Sequence, residues 1–213
     1  MLADGRFPSG GHAQSAGVES AIAHGDVIDV VTLERYLAGR VATTGFVDAA
    51  FACRACAAHL ADDVQALVAL DREYEARMPS PRARTVSRQL GRQLVRVAVR
   101  VWPDARSLPG NAHHAIAFGS VVAAAGGTPV DAVSLALHQL TSTVVTAAVR
   151  LLGLDPVSVV AVQAAQAPAV TAIKSQADRW AVAEPNALPA SSSSLSEILA
   201  EHHATWSSRL FVA

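Results

Sequence analysis

From His113 to Val170 the chain carries only three formal charges, Asp131, Arg150 and Asp155. Inside that stretch, residues 130–152 read as one helix that is apolar or small on nearly every side. Such a helix must be covered all round. Two covers are open to it: a central place in a bundle, or a second subunit or partner. Either way, this feature commits the chain to packed helices.

The rest of the sequence agrees. A short helix is expected over residues 18–23. Residues 32–60 read as helix, broken near Thr43-Thr44-Gly45. A more polar helix continues over 61–78, and Pro79 and Pro81 end it. Residues 85–101 are the clearest amphipathic helix. Leu90, Leu94, Val97 and Val101 share one face, and Arg88, Arg92, Arg96 and Arg100 the opposite one. Asn111 is placed to cap a helix running to Ala125. Thr128-Pro129-Val130-Asp131 is a strong start signal, with Gly153 just past the far end. Asp155-Pro156 starts the next helix, which Pro168 kinks or divides. Residues 184–194 form a Ser/Pro-rich connector. Ser194-Leu195-Ser196-Glu197 fits a capping box, and residues 195–213 supply a last helix and tail. No segment alternates like a strand. The class is all-α, a single domain over residues 1–213 with about eight to ten bundle-like helices.

Composition excludes several function classes. Apolar residues make up 51% of the chain, so disorder is out. Aromatics are 5% while Ala and Val abound, which suits closely packed helices. The longest apolar run, residues 115–137, is cut by Gly126-Gly127-Thr128-Pro129 and reads as two packed helices, with no membrane span. Two cysteines and no basic-then-apolar leader point to the cytoplasm. Net charge is −1, but residues 79–110 hold seven arginines and one aspartate between two acidic segments. That stripe is either a solvated face or a surface for an acidic partner. Nucleic acid is disfavoured, because aromatics are not interleaved with the arginines.

Catalytic chemistry finds little support. The only lysine, Lys174, follows Ile173, so no P-loop exists. Ala13-Gln14-Ser15-Ala16-Gly17 resembles a nucleophile elbow but lacks the preceding strand. A small hydrolase using Ser15 is the weakest alternative. Cys53, Cys56 and His59 do not converge on a helix, and no second cluster completes four metal ligands. The pairs His113-His114 and His202-His203 read as surface or cap residues, and His138 as a hydrogen-bonded core residue. No metal or catalytic residue is assigned.

The string Asp4-Gly5-Arg6-Phe7-Pro8-Ser9-Gly10-Gly11, followed by Ser15-Ala16-Gly17-Val18-Glu19, resembles the N-terminal signature of the UreF family. Further matches follow in order: Ser87 to Leu94, His113 or His114 with Ala117-Phe118-Gly119, Ala147 to Leu151, and Leu210-Phe211-Val212-Ala213. The resemblance implies an all-α cytoplasmic homodimer. It implies a non-catalytic scaffold bridging UreD (also called UreH) and the GTPase UreG for nickel insertion into apo-urease. GTP then belongs to UreG, and this chain binds no cofactor tightly. A direct nickel carrier is the alternative. By resemblance, the partner-binding candidates are Phe7, Pro8, Gly10, Gly11, Ser15, Gly17, Glu19, Arg88, Arg92, Arg150, Leu210 and Phe211.

Overall fold

A computed structural model describes residues 2, 7, 14–107, 110–191, 193–206, 210 and 211. Pro8, Gly10 and Gly11 lie outside the described residues. Among those described there are nine helices and no strand, so the chain is all-α. They are α1 (Val18–Ala23), α2 (Val30–Leu60), α3 (Val64–Ala76), α4 (Pro81–Val101), α5 (His114–Ala124), α6 (Pro129–Leu152), α7 (Pro156–Lys174), α8 (Ala177–Ala181) and α9 (Ser194–Ala204).

The centre of the molecule is the crossing of α5 with the second half of α2. Every residue from Ala115 to Ala123 is buried. On α2, Ala49, Ala50, Ala52, Ala55 and Ala58 keep the contact surface low. At the crossing point a Cβ on Gly119 would lie 2.0 Å from the Ala52 carbonyl oxygen. Only glycine admits this approach.

The helix expected to be covered all round is covered only in part. α6 bridges two cores, giving Ala132, Val133 and Leu137 to one and Val144, Val145, Ala147 and Ala148 to the other. His138, Thr146 and Arg150 remain exposed. His138 is therefore a surface residue, within 3.3 Å of the Ser142 hydroxyl, and not a core one. The fully enclosed helix is α5, whose smaller side chains fit the tightest crossing.

Several boundaries move for identifiable reasons. The break expected near Thr43 is a π-turn over Val41–Gly45 inside a continuous helix. The Thr43 hydroxyl donates to the Gly39 carbonyl at 2.8 Å, which supports the widened turn. The chain reverses after Leu60, with Asp62 at φ 53°, and Asp63 caps α3 by accepting from Ala66 N–H. Ser80 caps α4, which starts at Pro81, four residues before Thr85. Asn111 does not cap α5. Its side-chain oxygen accepts from Arg92, while Asp71 and the Ser87 hydroxyl accept from the N–H groups of His113 and His114. The Thr128–Asp131 box and the Asp155 cap form as expected.

By length and composition, α2, α6 and α7 could each cross a membrane. In this fold 61% of the apolar window of α2 is covered by the rest of the chain.

Candidate functional site

The C-terminal helix α9 roofs a cavity of about 260 Å³. How α9 is held follows from its sequence. Glu197 and Glu201 stand one helical turn apart and so share a face. The expected capping box does not form, because Glu197 is used elsewhere. Its carboxylate accepts the Ser80 N–H at 2.9 Å. The Glu201 carboxylate accepts the Arg82 N–H at 2.9 Å and the Ser80 hydroxyl. Two acids of α9 thus satisfy the open donors at the start of α4, where the helix dipole also favours negative charge. The Ser80 hydroxyl holds the Glu201 carboxyl below its ordinary range.

The other edge of α9 is clasped by Glu19 on α1. Its carboxylate accepts His203 Nε2–H at 2.8 Å, Leu210 N–H at 2.7 Å and Phe211 N–H at 3.1 Å. Glu19 is 7% exposed and Phe211 4%. The Arg150 guanidinium sits 5.0 Å above the Phe211 ring. Glu19, Arg150, Leu210 and Phe211, far apart in sequence, therefore form one cluster.

Below the roof, α2 and α3 place Asp48 and Tyr74 against each other, the phenol donating to the carboxylate at 2.5 Å. Burial pushes the Asp48 carboxyl up, and the Tyr74 phenol well up. Arg40 lines the same space, and its Nε has no hydrogen-bond partner among the described residues. His114 also lines it, with its imidazolium disfavoured by burial and its pKa pushed down to about 4. Gly17, at φ 84°, turns the chain into α1, where a Cβ would meet the Tyr36 hydroxyl at 3.0 Å. Ser15 is fully buried, and its hydroxyl has no partner among the described residues. Among the described residues no general base is hydrogen-bonded to it, and the helix there follows a turn, not a strand.

The arginine stripe divides in two. Arg88 turns inward and bridges Asp71 at 3.1 Å, Glu75 at 2.5 Å and the Asn111 carbonyl at 2.5 Å. Arg92 binds the Asn111 side chain at 2.6 Å. Arg96 and Arg100 stay exposed, with no ion pair among the described residues. Phe7 stands apart from the Glu19 cluster and packs on Trp102 with ring centroids 5.9 Å apart.

Each histidine pair has one fully or nearly fully buried member. His113 is fully buried, against the surface expectation, and burial lowers its pKa. Its Nε2 lies 3.8 Å from Glu75, too far for a hydrogen bond. His203 is buried while His202 is exposed. Cys53 and Cys56 are buried, and burial pushes both thiols up to about 12. Among the described residues no group of three or more His, Cys, Asp or Glu is placed to hold a metal.

Sequence reasoning missed Arg40, Asp48, Tyr74, Glu197 and Glu201. One signal was available: Asp48 is the only acid between Glu34 and Asp62, inside an alanine-rich run.

Fold and site together define an all-helical protein whose C-terminal element closes over an interior cavity. The family model for UreF matches residues 27–167, and the chain belongs to the UreF family. It is 40% identical over 214 residues to the urease accessory protein UreF of Mycobacterium sp. (strain JLS), covering all of this chain and 96% of that one. It is 45% identical over 171 residues to the protein of that name from Mycolicibacterium vanbaalenii, covering 79% and 78%. The Mycobacterium tuberculosis (strain H37Rv) protein of the same name is 43% identical over 164 residues, covering 76% and 75%.

Proposed function

We propose that this chain is a urease accessory protein of the cytoplasm, a non-catalytic scaffold that joins UreD (UreH) to the GTPase UreG during nickel insertion into apo-urease. GTP is bound by UreG, nickel is the cargo, and neither a nucleic acid nor a membrane is a partner. Membership of the UreF family carries this reading, and the surface of the fold supports a docking role. α9 is joined to the start of α4 through the Glu197 and Glu201 carboxylates, and Phe211 is the residue that ties the chain's end to a core, so a partner can engage this element with the rest of both cores in place.

Homodimer formation is part of the proposal. No charge falls between Asp155 and Lys174. Val157 is 77% exposed and Val160 62%, with Ala161, Ala164, Ala165 and Ala169 exposed beside them. An apolar face of this kind suits an isologous contact.

The test is co-purification of the full chain with UreD and UreG, followed by mass measurement of the complex. A complex containing two copies of this chain is expected. Failure to bind either protein overturns the scaffold reading. Reversing Arg96 and Arg100 to Glu should weaken one of the two contacts with folding intact. Unchanged affinity for both would assign the stripe to solvent.

A further inference from the structure

Outside the cavity, two exposed histidines face each other across the junction of α1 and α9. His24 is the residue that ends α1, and His202 lies in the last turn of α9. Their ring centroids are 6.2 Å apart with planes at 37°. Both side chains are exposed.

The tautomer of the neutral His24 ring is set by its neighbour. Its Nδ1 lies 2.8 Å from the Ser20 carbonyl oxygen, which can only accept, so Nδ1 carries the proton. In the neutral ring Nε2 then keeps its lone pair. A ring N–H given to a backbone carbonyl is the arrangement that orients a metal-bound imidazole and raises its basicity. The His202 ring makes no hydrogen bond among the described residues.

We infer that His24 and His202 form a two-histidine site for a borderline divalent transition metal, which joins α1 to α9 from the outside. Two imidazoles sharing one ion at about 2.1 Å per nitrogen stand roughly 5 to 6 Å apart, centroid to centroid. Rotamer changes of exposed side chains close the remaining gap within nanoseconds. Two neutral nitrogens favour nickel, copper or zinc, while magnesium prefers oxygen ligands. Water fills the other positions, so the ion is exchangeable.

The location gives the site a consequence. α1 carries Glu19, and His203 follows His202 directly. An ion across His24 and His202 therefore ties together the same two elements that the Glu19 clasp holds from within. Metal binding tightens closure of α9 and the tail. Trp206 lies beside the pair, 6.2 Å from His24 and stacked on it, and reports occupancy by its fluorescence.

This inference rests on the two rings and not on the scaffold reading. Partner binding without metal binding, or the reverse, separates the two. The test titrates the full chain with Ni²⁺ and Zn²⁺ by calorimetry, with Mg²⁺ as the contrasting ion. One site per chain is expected, with Trp206 emission changing in step and no response to Mg²⁺. His24→Ala and His202→Ala should each weaken binding by about tenfold or more. His138→Ala, at an exposed histidine elsewhere, should leave it unchanged. Metal-free helicity and melting of each variant show that the fold is intact. Ni²⁺ should slow amide exchange at Leu210 and Phe211 in the wild type and not in His202→Ala. Absence of binding by the wild type, or unchanged binding in both alanine variants, overturns the inference.

Discussion

Replacing Glu19 with glutamine tests how the C-terminal element is held. The carboxylate accepts three hydrogen bonds, from His203, Leu210 and Phe211. Bonds to a charged acceptor are worth about 1.5–3 kcal/mol each. Glutamine keeps the shape but offers one carbonyl oxygen, and its NH₂ then faces a donor. With the amide oxygen in the Oε2 place the His203 and Phe211 bonds survive and the Leu210 bond is lost. That lost bond and the buried clash of NH₂ with the Leu210 N–H together cost about 3–6 kcal/mol if the tail stays in place. Detaching the tail is cheaper. It gives up burial of Phe211, about 1.5–3 kcal/mol, and recovers about 1–2 kcal/mol of backbone entropy per freed residue. The variant therefore opens locally, and the loss of overall stability stops at about 2–3 kcal/mol. Hydrogen exchange read by mass spectrometry, with urea denaturation alongside, distinguishes the outcomes. Leu210 and Phe211 should exchange at nearly open-chain rates, while the buried half of α2 keeps its protection. Retained protection at Leu210 and Phe211 would refute the clasp. Equal loss of protection in α2 and the tail would refute local opening.

Four further outcomes follow from packing and burial. Gly119→Ala should cost about 3 kcal/mol or more in urea denaturation, because the new Cβ meets the α2 backbone. Gly39→Ala, where nothing lies within 4 Å, should instead stabilise by about 0.5–1 kcal/mol. His114 and His113 have pKa values lowered by burial, so the unfolded chain binds more protons below its own value of about 6.5. Stability is then complete above pH 6.5 and falls as pH drops toward 4. Urea midpoints across this range should show a shallower slope for His114→Gln than for the wild type. Cys53 and Cys56, with thiols pushed up to about 12, should resist a thiol reagent in the native protein and both react in urea.

Much of the fold was legible because it is set by local chemistry. Thr128, Pro129 and Asp131 start a helix, and Gly153 ends it at φ 63°, whatever packs around it. The Glu19 and Phe211 positions were legible only through the family resemblance, since no local pattern links residues 191–192 apart in sequence. The arginine stripe was visible, but its division was not. Arg88 turns inward because Asp71 and Glu75 on α3 come within reach, and nothing in the sequence near Arg88 announces that.

The sequence by itself determined that this chain is helical and where most helices end. Those outcomes depend on propensity, caps and periodicity, which act within a few residues. Tertiary structure decided which helix is enclosed and that His113 and His203 are buried. It also decided that Glu197 caps a different helix from its own. Each of these turns on which surfaces approach closely enough to exclude water. At the centre, that is settled by one glycine against one alanine backbone, Gly119 on Ala52.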